Sequence, residues 1–146
     1  MPHDKAMAPI NLSTSKSRAA LARLLTNLFA KGGLFPTEQA NLLGLPSSRK
    51  TLVAKYRRGS PLANTKGMLD RAGWVLSIHK ALRLLYPYNE NLRYSWVKRR
   101  NRNFENFTPA EVMMREGIIS IAKVSRYLDI ELGIDQADRQ NVELLL

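Results

Sequence analysis

Apolar side chains recur every three or four positions along most of the chain, which is the spacing of one face of an α-helix. The first such stretch begins at Ser15 or Ser17 and ends at Gly32-Gly33. Its apolar positions are Leu21, Leu24, Leu25, Leu28 and Phe29. No stretch shows the strict apolar–polar alternation of a half-buried strand. The pattern therefore predicts an all-α fold.

Further helices are bounded by residues that commonly start or end a helix. Their predicted ranges are about 37–43, 47–58, 65–85, 89–98, 108–116 and 118–132. Thr37 is the predicted cap of the first of these. Thr108, Pro109 and Glu111 have the spacing of a capping box with proline at the first helical position. Gly117 is expected to separate the last two helices.

Residues 37–58 have the features of a helix-turn-helix motif. Ala40 is small enough for a second helix to cross close by, and Gly44 permits a left-handed turn. The second helix would place its N-terminal residues at base edges in the major groove, and its later basic residues at phosphates. The predicted DNA contacts are Gln39, Ser48, Arg49, Lys50, Thr51, Lys55, Arg57 and Arg58.

Two observations keep this interpretation open. A basic helix face is also the usual appearance of a solvated surface. In addition, Lys50 occupies the position where a branched apolar residue is common after the turn glycine, and Leu52 follows two residues later. We therefore expect a turn about two residues longer than usual, with Leu45, Leu52 and Tyr56 anchoring the second helix.

Charge is distributed unevenly along the 146 residues, whose formal net charge is +11. The net charge is +9 over residues 1–66, with 11 Lys+Arg against 2 Asp+Glu, and +6 over residues 67–128, with 11 against 5. Residues 129–146 carry −4, with one basic against 5 acidic residues. A large positive surplus favours a polyanionic partner, and the acidic end indicates a second partner on another surface.

The composition excludes several classes of function. The chain has no cysteine and 2 histidines, which excludes disulfide frameworks, thiolate zinc sites and cysteine nucleophiles. His79 has no nearby nucleophile in the sequence, and no glycine-rich phosphate loop is present. We therefore expect neither an enzyme nor a cofactor. The absence of a signal peptide or a spanning apolar stretch predicts a soluble, cytoplasmic protein without a membrane partner.

The run LRLLYPYNENLRYSWVKRRNRNFENFTPAEVMMREGIISIAKVSRYLD (82–129) resembles the toxin-binding domain of antitoxins of the Xre/MbcA/ParS type. The resemblance is carried by the Trp96 helix, the Asn101 loop, the Phe107-Thr108-Pro109 helix start, the Gly117 break and the closing Tyr127-Leu128-Asp129. The family places an Xre-like helix-turn-helix immediately upstream, where residues 37–58 lie. The resemblance thus extends over about residues 20–132.

The resemblance implies an antitoxin that binds a toxin carrying a RES domain, which consumes NAD or uses it to ADP-ribosylate a target. Family members dimerise, block the toxin's NAD pocket sterically with segments near their C-terminus, and commonly repress their own operon in complex with the toxin. NAD would thus be the toxin's substrate and not a cofactor here. The predicted toxin contacts are Trp96, Arg99, Arg100, Asn101, Arg102, Phe107, Met113, Tyr127, Asp129, Glu131, Asp135 and Asp138.

The predicted organisation is a flexible arm (1–14), a helix-turn-helix DNA-binding region (15–64) and a toxin-binding helical domain with an acidic tail (65–146). One hypothesis places this tail in the toxin's NAD pocket with Leu144–Leu146 as an apolar anchor; a frayed, uninvolved tail is the alternative. The expected partners are a RES-domain toxin, operator DNA and a second copy of the chain. The main rival is a stand-alone helix-turn-helix regulator, followed by an RNA-binding protein and a helical enzyme.

Overall fold

The computed structural model describes residues 12–133, which fold into helices joined by short turns. The α-helices are α1 (Ser15–Lys31), α2 (Pro36–Leu42), α3 (Thr51–Arg57), α4 (Lys66–Leu85), α5 (Glu90–Ser95), α6 (Pro109–Met113) and α7 (Ile118–Glu131). Three 3-10 turns lie at Ser47–Arg49, Trp96–Lys98 and Arg102–Phe104. Within residues 12–133 the only β-type pairing is an isolated bridge between Asn101 and Phe107. The predicted all-α class is confirmed.

Local capping explains where the helices begin; it confirms the predicted start of α1 at Ser15 and corrects the predicted start of α2. Thr14 caps α1 by accepting a hydrogen bond from the backbone N–H of Ser17 at 3.2 Å, so the cap lies just before the predicted serines. Helix α2 begins at Pro36, before Thr37, because the Glu38 carboxylate accepts the N–H of Phe35 at 2.8 Å. Proline at the first helical position removes an N–H that would have no partner there.

Two predicted helices are each divided between an α-helix and a 3-10 turn. The 47–58 segment starts with the Ser47–Arg49 turn, in which the Lys50 N–H donates to the Ser47 carbonyl at 3.2 Å. The 89–98 segment becomes 3-10 at Trp96, and the N–H of Arg99 donates to the Trp96 carbonyl at 3.2 Å. Hydrogen bonds between residues three apart tighten the chain relative to an α-helix, so the basic side chains near Arg49 occupy a turn.

One apolar core joins both halves of the described chain. Leu25 and Leu42 contribute from the N-terminal helices, Leu62 from the linker, and Ile121 and Leu128 from α7; all five are at most 1% exposed. Full burial of such a side chain stabilises the fold by about 1.5–3 kcal/mol. Because this core is continuous, the N-terminal helices and the second half of the chain stabilise each other. The domain boundary at 64–65 stays a prediction.

Helix packing places the two halves side by side. Helix α4 packs mainly against α7, and α1 packs against α3. At the α4–α7 contact the buried Ser125 hydroxyl donates to the Ser77 hydroxyl at 3.0 Å, so small polar residues are satisfied there. None of the helices between residues 12 and 133 is long and apolar enough to cross a membrane.

Candidate functional site

Helix α3 separates an apolar face from a basic one. Val53 and Tyr56 are 1% and 4% exposed and hold the helix against α1 and α2. Leu52, which the sequence predicts as an anchor, is half-buried, and Val53 takes the central position instead. The remaining predicted DNA contacts from this segment are all exposed; they are Ser48, Arg49, Lys50, Thr51, Lys55, Arg57 and Arg58. The structure therefore gathers these side chains on an open, basic surface.

Gln39 is a correction to the predicted DNA contacts. It is 1% exposed, and its side-chain Nε2 donates to the Leu34 carbonyl at 2.9 Å. Its Oε1 is buried without a hydrogen-bond partner among the described residues. The side chain is buried because α2 packs against α3 and the Ser47–Arg49 turn. Gln39 thus packs in the core beneath residues 37–58 and does not reach the exposed basic surface.

The turn between α2 and the basic segment depends on Gly44. Its φ of 75° lies in the left-handed region, where a residue with a Cβ is strained. A Cβ at this position would also come within 2.7 Å of Nε of Arg71 on α4. The same arginine approaches Gly117, whose φ is 67°. Arg71 therefore lies between the motif's turn and the start of α7.

An aromatic cluster holds the second half together. Trp96 packs with Phe104 and Tyr127 at ring-centroid distances of 6.4 Å each, and Phe104 lies 4.7 Å from Tyr127. The Asn103 side-chain Nδ2 donates to the Tyr127 hydroxyl at 2.7 Å. The cluster thereby joins the 96–104 turns to the C-terminal end of α7.

The Asn101 loop, residues 101–107, is closed by its own hydrogen bonds. The Asn101 N–H donates to the Phe107 carbonyl at 3.0 Å, and the Asn101 carboxamide accepts the Asn103 N–H at 2.9 Å. Glu105 and Asn106 turn the chain with φ values of 57° and 67°. Non-glycine residues in this region are uncommon and mark a backbone held by its surroundings. The loop is therefore a preorganised surface feature.

The predicted capping box at the start of α6 is confirmed. The Thr108 hydroxyl accepts the Glu111 N–H at 3.1 Å, and the Glu111 carboxylate accepts the Thr108 N–H at 2.8 Å. These hydrogen bonds to Thr108, with smaller contributions from Arg100 and Arg115, lower the pKa of Glu111. The box fixes the direction in which the preceding Phe107 projects.

Phe107 and four arginines form an exposed surface beside this box. The Phe107 ring is 41% exposed, and the Arg115 guanidinium lies 4.5 Å from the ring centre. Arg100 donates to the Asn106 carbonyl at 3.0 Å. Arg99, Arg100 and Arg102 are exposed, and Asn101 is half-buried within the closed loop. Aromatic and arginine side chains of this kind are enriched at protein interfaces.

Two other predicted toxin contacts are corrections, because the structure buries them. Trp96 is 8% exposed and Met113 is 4% exposed. Trp96 is enclosed by the aromatic cluster, and Met113 belongs to the main core. Trp96 and Met113 therefore pack in the core beneath the exposed residues of the second half. Of the acidic residues, Glu131 is exposed and Asp129 is half-buried, while Asp135, Asp138 and the remainder of the tail lie outside the described residues.

The outward face of α7 was missed from the sequence. Ile119 and Ile130 are 68% and 74% exposed. The exposed Lys123 and Arg126 lie between them, and spacings of three and four residues place all four on the same side of the helix. The Arg126 guanidinium lies 5.8 Å from the centre of the Trp74 ring. Eleven residues span about three helical turns, so the spacing of the two isoleucines could have revealed this face. We call these four residues the α7 stripe.

The α7 stripe and the 101–107 loop meet near Tyr127. Ile130 follows Tyr127 by three residues, which is about one helical turn. Tyr127 is hydrogen-bonded to Asn103 in the loop. No group of acidic or histidine side chains within residues 12–133 could hold a metal ion. Ile119, Ile130 and Phe107 are thus exposed apolar side chains of this part of the chain, and Arg115, Lys123 and Arg126 are exposed basic ones.

Comparisons with known proteins match the part of the chain that carries this surface. Residues 81–132 match the family model of the antitoxin Xre/MbcA/ParS C-terminal toxin-binding domain. The chain is also 31% identical over 96 residues to the uncharacterized protein y4oB of Sinorhizobium fredii, covering 66% of this chain and 71% of that protein. No solved structure gives a significant match.

Proposed function

Because the chain belongs to the Xre/MbcA/ParS antitoxin family, we propose that it neutralises a RES-domain toxin by covering that toxin's NAD pocket. Residues 81–132 are the toxin-binding domain, and the family consists of toxin-binding regulators and not of enzymes. The role of antitoxin in a toxin–antitoxin system follows from this membership. The kind of toxin and the means of inhibition are our proposal.

The observation that carries the proposal is the exposed apolar and basic surface within the family domain. Ile119 and Ile130 leave aliphatic area in water, and a partner that covered this area would gain free energy from its burial. Phe107 adds an aromatic anchor, and the Asn103–Tyr127 hydrogen bond holds the loop against α7. A partner that covered the α7 stripe would therefore also meet the loop.

An enzymatic assay tests this proposal directly. The probe is the purified product of the neighbouring gene, which the proposal expects to be a RES-domain protein, and the measurement is its rate of NAD consumption as the chain is added. We expect full inhibition at a fixed stoichiometry. Ile130→Asp should weaken binding by about tenfold or more, since a central apolar contact replaced by a charge costs on the order of 2 kcal/mol.

Leu84→Asp is the matched control. Leu84 is, like Ile130, an exposed aliphatic residue of the family domain (57% exposed), but it lies on α4 and not on α7. It should inhibit the toxin like the wild type. Equal inhibition by Ile130→Asp and wild type would remove the α7 stripe from the interface. If the chain bound the toxin but left NAD consumption unchanged, the pocket-covering mechanism would be wrong while the antitoxin role survived.

We also propose that the basic face of α3 binds operator DNA and that the chain represses its own operon as a homodimer. The support is the exposed position of Arg49, Lys50 and Arg57 above a helix anchored by Val53 and Tyr56. A single recognition segment covers few base pairs, so two-fold pairing on a palindromic site would supply the remaining contacts. The α1 and α4 helices are the candidates for the dimer contact.

Salt-dependent binding to the DNA upstream of the gene tests this second activity. Arg57→Ala should weaken binding to all sequences alike and reduce the salt slope by about one, as expected for a phosphate contact. Arg49→Ala should instead reduce discrimination between the operator and unrelated DNA. Lys80→Ala, an exposed lysine of α4, is the control. Unchanged binding by both arginine variants would refute the assignment of the α3 face.

A further inference from the structure

A small apolar cavity opens where the N-terminal helices meet the family domain. Its walls come from both parts of the chain and include Leu28, Leu34, Leu42, Val75, Val97 and Met113. The cavity measures about 60 Å³, whereas a cavity of about 150 Å³ accommodates benzene. The space therefore suits one branched aliphatic group and excludes an aromatic ring.

His79, Arg93 and Tyr94 also line this cavity, and Lys31 lies beside Tyr94 in the open groove that adjoins it; we call this edge the mouth of the cavity. The His79 and Tyr94 rings lie side by side with centroids 6.0 Å apart. Lys31 Nζ is 5.0 Å and the Arg93 guanidinium carbon 5.9 Å from the centre of the Tyr94 ring. Arg93 donates to the Tyr86 and Pro87 carbonyls through Nε and Nη2. Its Nη1 makes no hydrogen bond to the described residues and can serve a ligand.

The electrostatics at the mouth are those of an anion site. Burial lowers the pKa of His79, and Arg83, Arg93 and Lys31 lower it further. All the charged groups that act on His79 within the described chain are thus cations. Glu90 lies in the adjoining open groove and is exposed. Attraction between opposite charges is stronger beside an apolar wall than in bulk water.

We propose that this cavity binds a branched aliphatic carboxylate. The alkyl group fills the apolar floor, and the carboxylate lies at the mouth between Lys31 and Arg93. This arrangement follows the usual design of small-ligand sites, in which an apolar pocket carries a few converging polar groups. Both a small branched-chain acid and a leucine next to an acidic residue in a peptide present this chemistry.

The site would connect the two halves of the protein. Its walls include Leu28 and Leu42 from the N-terminal helices and Val97 and Met113 from the family domain. A ligand that binds the folded chain there stabilises it by mass action. Binding can therefore be followed by a change in unfolding temperature as well as by spectroscopy.

The test uses the full chain labelled with ¹⁵N-histidine, in which only His3 and His79 give signals. The probe is 4-methylpentanoate. We expect saturable shifts of the His79 ring signals with a dissociation constant on the order of 1 mM, as suits a ligand of this size. The bound carboxylate should also raise the pKa of His79, while 4-methylpentanamide should bind more weakly and acetate should give no saturable shift.

Variants locate the site. Lys31→Gln should weaken binding by about threefold, the size of one partly exposed ion pair, and Leu28→Phe should abolish it by filling the cavity. Lys80→Gln is the control and should bind like the wild type. No saturable shift in the wild type, equal shifts with acetate, or full binding by Leu28→Phe would overturn the proposal.

A further titration distinguishes the two sources of this chemistry. A glutamyl-leucine dipeptide blocked at both ends is compared with the free acid. Tighter binding of the dipeptide identifies a peptide segment as the natural occupant, and tighter binding of 4-methylpentanoate identifies a small molecule. Either result supports the proposed chemistry, whereas failure of both ligands to bind overturns it.

Discussion

Replacing Gly44 by alanine perturbs the turn that orients the basic segment. The residue has a φ of 75°, and an L-residue in this region is strained by about 1–2 kcal/mol. Alanine also restricts the unfolded chain, which offsets about 0.4–1 kcal/mol of that strain. In addition, the new Cβ would lie 2.7 Å from Nε and 2.9 Å from Cζ of Arg71, so the arginine has to move. We expect Gly44→Ala to be destabilising by about 1 kcal/mol.

Gly73→Ala is the matched control. Gly73 lies in the interior of α4, and a Cβ there would meet nothing within 4 Å. Alanine is favoured over glycine in a helix interior by about 0.5–1 kcal/mol, so this variant should be more stable than the wild type. For a chain of this size 1 kcal/mol corresponds to about 3 °C in Tm. The two variants should therefore shift Tm in opposite directions.

Thermal and urea unfolding of these variants measure the effect, and Arg71→Ala separates its two causes. In the Arg71→Ala background the contact with the guanidinium is gone, so Gly44→Ala should cost only the backbone strain. The cost in that background should therefore be smaller than in the wild type. If Gly44→Ala raised Tm as Gly73→Ala is expected to do, the left-handed turn and the reasoning from it would be refuted.

Two further predictions concern the capping box and His79. Thr108→Ala should destabilise the chain by about 1 kcal/mol, while Thr37→Ala should have little effect in urea unfolding because α2 is capped elsewhere. The pKa of Glu111 is lowered from 4.5 in the folded chain. The contribution of this carboxylate to folding stability is therefore fully present above pH 4.5 and is lost as the pH falls through the lower pKa of the folded state. Glu111→Ala should lack this pH-dependent loss of stability. The pKa of His79 is lowered from 6.5, so folding stability should decline as the pH falls below 6.5. His79→Gln should lack that decline. Equal pH profiles of stability for the wild type and His79→Gln would contradict this reasoning.

The sequence was most informative where the determinants of structure are local. The Thr108–Glu111 capping box involves residues three apart, and both of its hydrogen bonds are present. Gly33, Gly44 and Gly117 have positive φ at three predicted helix boundaries. Apolar spacing alone was sufficient for the all-α class, because helical periodicity depends on neighbouring residues.

The errors occurred where packing between distant segments decides the outcome. Gln39 and Trp96 are polar or amphipathic residues that could face either side of a helix, and their burial depends on Leu34 and on the Phe104–Tyr127 pair. Met113 was predicted as a contact although it completes the core. Conversely, Ile130 was not singled out in the sequence, and the packing of α7 against α4 leaves it facing outward.

The central claim is that the α7 stripe binds the toxin, and growth under co-expression tests it most directly. The chain is expressed with the product of the neighbouring gene, which the proposal expects to be a RES-domain protein, as wild type, as the Ile119→Asp/Ile130→Asp double variant and as Leu84→Asp. The account predicts that wild type and Leu84→Asp restore growth and co-purify with the toxin, while the soluble double variant does neither. Rescue by the double variant would contradict the assignment of the surface, and failure of the wild type to rescue growth or bind would contradict toxin neutralisation itself.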